Sequence, residues 1–235
     1  MAIKIKSTKG IGKRGVKVCV YGKSDSGKTR LCATAPKPII LSSEGGLLSL
    51  KDMNIPYLEI KTVDDIYDAL EYVSGRKGRE FESICLDSIT DMAEKILADH
   101  IKNEKDPRKA YMQMASEVKD VVWKFKEIRK KNIILVAKRG IIEEPENGGE
   151  QYVPLMPGRA LMAESFLPYQ FDEVFYATIK KKDGGKMKRV LMTSSTPEYE
   201  AKDRSGSLKR MEEPDLTAIF EKISNSKSKT KKRRK

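Results

Sequence analysis

Residues Gly22-Lys23-Ser24-Asp25-Ser26-Gly27-Lys28-Thr29 carry the chemistry most readily read from this chain. They fit the pattern G-x-x-x-x-G-K-[ST]. Gly22 and Gly27 let the backbone curl so that consecutive N–H groups face one anion. A helix starting near Lys28 adds the positive end of its dipole. Lys28 is placed to reach the β- and γ-phosphates of a nucleotide, and the Thr29 hydroxyl to hold Mg²⁺. Lys23, Ser24, Asp25 and Ser26 form the cradle between the two glycines.

Two acids and a cation stand where such a site needs them. Ser83-Ile84-Cys85-Leu86-Asp87 is an apolar run ending in an acid, and the Asp87 carboxylate can hold Mg²⁺ through water or Thr29. Glu44 follows the apolar run Lys37-Pro38-Ile39-Ile40-Leu41 and precedes Gly45-Gly46. It can orient or deprotonate the water that attacks a γ-phosphate. By position alone it serves equally as an ordinary loop acid. Lys138 and Arg139 follow the run Asn132-Ile133-Ile134-Leu135-Val136-Ala137 and are expected at that strand's tip. A cation there can sense the γ-phosphate or touch DNA.

The elements that must hold these groups follow from pattern. Val16 to Tyr21 reads as a strand, and Arg30 to Ala35 continues a helix until Pro36. Strand, glycine loop and helix is the context the motif requires. Further strands are expected at 37–41, 57–60, 83–87 and 132–137. Thr62-Val63-Asp64-Asp65 resembles a capping box opening a helix to about Val73, and Ser88 with Asp91 caps the next. Met92, Ile96 and Ile101 mark one helical face; Met114, Val118, Val121, Val122, Phe125 and Ile128 mark another. Met112 and Trp123 read as core or interface packing. Gly140 to Gly158 reads as a mobile loop or β-hairpin. Segments 172–179 and 189–193 pair as antiparallel strands around a turn at Lys182-Asp183-Gly184-Gly185. Pro214 to Ile223 forms a last short helix.

The net charge of +13 is unevenly spread. Residues 1–17 hold six Lys/Arg and residues 225–235 hold seven, neither stretch holds an acid, and the middle is balanced. Basic arms on a neutral domain point to a polyanion, most simply nucleic acid, or serve only solubility. A short edge strand at Ile3 to Ile5 is expected in the first arm. Cys19, Cys32 and Cys85 sit among apolar neighbours without metal spacing, as buried thiols of a reducing cytosol do. His100 is the only histidine, so histidine-based metal or triad chemistry is not expected, and a surface or half-buried helix position is. No secretion signal and no membrane span are expected.

Several motifs then agree in order. The phosphate loop, Pro36 and Pro38 before a strand, Ser43-Glu44-Gly45-Gly46 after it, and Leu86-Asp87-Ser88-Ile89-Thr90 resemble the phage nucleotide-binding AAA-type ATPases, which have a RecA-like core. Met156-Pro157-Gly158-Arg159-Ala160-Leu161, Phe171-Asp172-Glu173-Val174 and Ala201-Lys202-Asp203-Arg204 resemble the later part of that family. The likeness covers about residues 16 to 223. It implies a nucleotide role for Lys28 and Thr29, Mg²⁺ on Thr29 and Asp87, and a catalytic Glu44. Lys138 falls where RecA-like proteins usually carry a glutamine linking nucleotide state to DNA, so this chain departs from the pattern there. RecA-like ATPases commonly complete their site with a neighbour's cations, a role open here to Lys202 and Arg204, which otherwise belong to a surface turn with local ion pairs.

The expected fold is α/β: a RecA-like P-loop NTPase with a mostly parallel sheet, helices on both faces and a small antiparallel extension. The expected organisation is a basic flexible arm at 1–15, the ATPase domain at 16–223 and a basic disordered tail at 224–235. The expected function is an ATP- and Mg²⁺-dependent ATPase stimulated by single-stranded DNA. It would act in phage recombination and strand annealing in the bacterial cytoplasm, as a ring or filament, beside a single-strand-binding protein. A non-catalytic ATP switch or scaffold, and a small-molecule kinase, are the alternatives.

Overall fold

Apolar runs without polar alternation must bury both faces of a strand, and parallel sheets covered by helices are where that happens. Here β1 (Lys17–Gly22), β2 (Pro38–Ser42), β4 (Ser83–Asp87) and β7 (Glu173–Lys181) run parallel with β3 (Tyr57–Glu59) and β5 (Asn132–Glu144). The computed structural model describes residues 15–144, 148–162, 166–181 and 185–232. The sheet order is β10-β8-β7-β1-β5-β4-β2-β3. The antiparallel extension consists of β8 (Met187–Met192) on β7 and β10 (Met211–Glu212) on β8. β9 (Lys202–Asp203) pairs with the start of β7, and β6 (Gly149–Pro154) with the far half of β5.

Successive strand residues point to opposite faces, and two cores follow. Cys19, Tyr21, Ile84, Leu86, Ile133 and Leu135 face α2 (Val63–Ser74), α3 (Ile89–Asn103) and α4 (Pro107–Glu127). Val18, Val20, Cys85, Ile134 and Val136 face α1 (Lys28–Cys32) and α7 (Leu216–Lys232). α5 (Arg159–Met162) and α6 (Phe166–Gln170) join the first core through Leu161 and Phe166. All three cysteines are buried and free.

Helix starts follow sequence chemistry. The Thr62 hydroxyl accepts from Asp65 N at 3.2 Å, and Asp65 accepts from Thr62 N at 2.7 Å, closing the capping box of α2. Ser88 caps α3, and Asp106 followed by Pro107 opens α4. His100 on α3 is half-buried, bonded to Glu117 of α4 at 2.6 Å.

Two expectations change. Lys138 and Arg139 do not end their strand. β1 stops at Gly22, opposite Lys138, but β5 continues by exchanging partners, pairing Arg139–Glu144 with β6 as a hairpin. The stretch read as a disordered tail starts as backbone of α7, which continues to Lys232. The first arm to residue 14, with the strand expected at Ile3 to Ile5, and turn residues 182–184 lie outside the described residues. Among the described residues no helix is long and apolar enough to cross a membrane.

Phe125 on α4 is fully buried in the first core. Phe125→Ala is expected to lower unfolding free energy by about 3–5 kcal/mol, measured by urea denaturation, because the packed sheet cannot collapse into the space.

Candidate active site

Strand register brings the sequence-flagged groups to one edge. Gly22 lies opposite Lys138 on one side and Ala177 on the other, while Ser42 lies opposite Asp87. The carboxyl ends of β1, β2, β4 and the parallel half of β5 therefore open on a common cavity, as open α/β sheets do for ligands. It holds about 630 Å³ and is lined by Gly22 to Asp25, Gly27 to Arg30, Glu44, Lys138, Arg139 and Arg189, among others.

The loop depends on two missing side chains. A Cβ at Gly22 would lie 2.3 Å from the Ala177 carbonyl oxygen on β7. Gly27 caps α1 at φ 88°, a left-handed conformation that favours glycine. Asp25 also adopts positive φ, at 63°.

Inside the loop, the Lys28 ammonium donates to the Gly22 carbonyl at 3.0 Å and the Lys23 carbonyl at 2.8 Å. Burial pulls Lys28 below its ordinary pKa, Asp87 and Glu44 draw it back up, and Lys138 adds to the lowering. The Thr29 hydroxyl donates to Asp87 Oδ2 at 2.6 Å. Burial raises the pKa of the Asp87 carboxyl, the Thr29 bond opposes that, and Glu44 adds to it. The buried Ser26 Oγ has no hydrogen-bond partner among the described residues. A cation turned onto its own carbonyls, a carboxylate accepting from a hydroxyl, and an orphaned hydroxyl fit a phosphate with Mg²⁺. Mg²⁺ binds through one or two carboxylates together with phosphate oxygens, and needs no all-protein cage.

Glu44 is placed by its neighbours. Ser43 N donates to the Asp87 carbonyl at 2.9 Å, and Ser43 Oγ to the Ser88 carbonyl at 2.8 Å. Those bonds tie the end of β2 to the end of β4. Glu44 itself is exposed at the cavity and makes no hydrogen bond or ion pair among the described residues.

Lys138 pairs with Asp91 Oδ1 at 2.6 Å, with Glu94 at 3.9 Å. Burial is the largest single effect and opposes its charge, but the Asp91 bond and the charges of Asp91, Glu94 and Glu44 together raise its pKa. Asp91 also accepts from Ser88 Oγ, so the residue expected as a helix cap also holds the cation. Thr90 Oγ1 accepts from Lys138 N at 3.0 Å and donates to the Leu155 carbonyl at 2.8 Å, linking this corner to the β5–β6 hairpin.

Lys202 and Arg204 are not brought here. β9 pairs with Glu173 and Val174, at the opposite end of β7 from Ala177. Lys202 donates to the Pro168 carbonyl, and Arg204 pairs with Asp172 at 2.9 Å. Asp203 accepts from Ser205 Oγ and the amides of Gly206 and Leu208, forming a local turn.

Arg189, which motif and spacing do not single out, enters the cavity from β8. Its guanidinium bonds Asp25 Oδ1 at 2.8 Å and the Asp25 carbonyl at 3.2 Å. A Cβ at Gly27 would come within 2.6 Å of Arg189 Cδ. Nothing in spacing separates it from Lys186 or Lys188; the pairing of β8 on β7, with Ile179 opposite Arg189, does so.

A family model described as "AAA domain" matches residues 14–205. No curated protein matches the chain. Among solved structures, the flagellar accessory protein FlaH from Methanocaldococcus jannaschii is similar, at 17% identity. The likeness covers 85% of this chain and 84% of that one, with a TM-score of 0.47.

Arg189→Ala removes a cavity cation and the brace on Asp25. We expect Mg²⁺-nucleotide to bind about tenfold more weakly in a calorimetric titration, the low end for charged hydrogen bonds. Unchanged affinity would make Arg189 a surface brace only.

Proposed function

The chain belongs to the AAA domain family, and on that premise we propose that it binds ATP with Mg²⁺ at residues 22–29 and hydrolyses it in response to single-stranded DNA. The observation that carries the reading is the convergence on one cavity of Lys28, Thr29, which bonds the buried Asp87 behind it, and the unpartnered Glu44. Phosphoryl transfer needs little covalent chemistry from a protein; it needs positioning and charge stabilisation. Glu44 takes the proton of the attacking water. Lys28 leaves the loop carbonyls for the terminal phosphate, where its charge meets the charge developing in the transition state. Lys138 stands by as a second cation, restrained by Asp91. Thr29 and Asp87 would hold Mg²⁺, which supplies charge neutralisation on the phosphates.

Lys202 and Arg204 stand at the opposite edge of the sheet. They reach a phosphate only in a neighbouring copy, and a head-to-tail contact of that kind generates a ring or a filament. The basic arms supply sequence-independent attraction to DNA phosphates. The resemblance to phage recombination ATPases supports a place in strand annealing beside a single-strand-binding protein.

A nucleotide-driven switch without turnover is the second reading. The Lys138–Asp91 pair favours it, because a γ-phosphate competing for Lys138 frees an acid tied to α3. ATP turnover measured with and without single-stranded DNA separates the two. Stimulated turnover supports the ATPase, and tight binding without turnover supports the switch.

Glu44→Gln keeps shape and removes the base. Hydrolysis is expected to fall by roughly 10²–10⁴ with nucleotide binding retained. Lys28→Ala is expected to lose tight binding itself, and Asp87→Asn to raise the Mg²⁺ concentration needed. An unchanged rate in Glu44→Gln would return that residue to the role of a loop acid.

A further inference from the structure

Among the described residues, a further cavity opens at the opposite edge of the sheet. It holds about 900 Å³ and lies where α2 and α4 end and β4 and β5 begin. Its cationic lining is Arg76, Arg79, Lys124, Arg129, Lys130 and Lys131; its acids are Glu82 and Glu127. The acids do not balance it. Glu82 is taken by Lys37 at 2.6 Å. Lys131 donates to the carbonyls of Gly78 and Phe81, and Lys124 pairs with Asp120. Arg76, Arg79, Arg129 and Lys130 are exposed, and among the described residues their side chains make no hydrogen bond or ion pair. Lys130 sits at φ 62°, so a lysine occupies a left-handed turn position that favours glycine or asparagine.

An aromatic ring adjoins the cations. Trp123 lies on α4 one turn before Glu127, on the same helix face, and is 58% exposed. Lys126 stands over its ring at 6.0 Å from the centroid and bonds Gln170 of α6 at 2.9 Å. Next to Gln170, Tyr169 is 74% exposed. Single exposed rings on a surface carry no meaning. An exposed ring under an ammonium, beside a groove of these four cations, makes a different surface. Proteins that hold single strands combine a positive groove for the backbone with rings on which bases stack.

We propose that the groove of Arg76, Arg79, Arg129 and Lys130, with Trp123 at its rim, is a single-stranded DNA track, the phosphates in the groove and a base stacked on Trp123. This rests on the DNA-dependent reading above and gives it a place on the folded domain, apart from the basic arms. The track lies about five strand residues, or roughly 17 Å, from the phosphate loop. β5 joins the two, with Lys131 immediately before it and Lys138 on it.

Trp123 is the only tryptophan in the chain, so its fluorescence reports on the track alone. The full chain is titrated with end-labelled oligo(dT), reading label anisotropy for binding and tryptophan emission for stacking. We expect emission to be quenched with the same midpoint as the anisotropy rise, and not by duplex DNA of equal charge. Arg129→Ala with Lys130→Ala is expected to lower the salt slope of binding by about 1.4, at roughly 0.7 for each single-strand phosphate no longer neutralised. Failure of either the quenching or the slope change, with anisotropy still rising, overturns the track and leaves DNA binding to the arms. Equal quenching by duplex overturns the single-strand assignment. Emission that follows protein concentration without DNA assigns the surface to a second copy instead. No anisotropy rise at low salt removes the DNA-dependent reading, and the track with it.

Discussion

The phosphate loop closes only because the backbone passes where a side chain cannot. The carbonyl of Ala177 on β7 stands 2.3 Å from where a Cβ at Gly22 would be. At the other end Gly27 turns left-handed to start α1. Between those points the backbone is fixed by packing against β7 and braced on its outer side by Arg189. Parallel pairing with β5 and β7 then determines what faces the loop: Lys138 on one side, and Asp87 one strand further on.

The charges at this edge are arranged for something more anionic than the protein itself. Lys28 is engaged by its own loop carbonyls, Lys138 by Asp91 and Arg189 by Asp25. Each pairing can be exchanged for a phosphate oxygen. Asp87 and Thr29 share one hydrogen bond in the place where a divalent cation would take both oxygens.

Local chemistry is legible in the sequence, and tertiary placement is not. The loop, its strand and helix, Asp87 at the end of β4, the capping box of α2 and the Ser88 cap of α3 are contiguous patterns, and each is found where expected. Glu44 stands out by its place after a strand; the bonds exchanged between Ser43 and Ser88, which hold it beside Asp87, cross 45 residues and leave no local signal. β5 reads short because its apolar run stops where its parallel neighbour stops, while its remaining residues pair as a hairpin. Arg189 needs the register of β8. The groove at the far edge is hidden by arithmetic: residues 124–131 hold five Lys/Arg and one acid, but balancing acids elsewhere in the chain cancel them in a whole-chain count. Lys202 and Arg204 stand out only by resemblance, and their own hydrogen bonds put them on β9 and the turn after it, away from the loop of the same chain.

The central claim is that residues 22–29 take the phosphates of ATP with Mg²⁺ shared between Thr29 and Asp87. The most direct measurement is a crystal structure of the full chain grown with Mg²⁺ and a non-hydrolysable ATP analogue. The account predicts that Lys28 Nζ leaves the Gly22 and Lys23 carbonyls, now at 3.0 and 2.8 Å, for the terminal phosphate. It also predicts a cation beside Thr29 Oγ1 and Asp87, with the direct 2.6 Å bond between them broken. An analogue bound at another surface, or one at the loop with Lys28 still on its carbonyls, would contradict it.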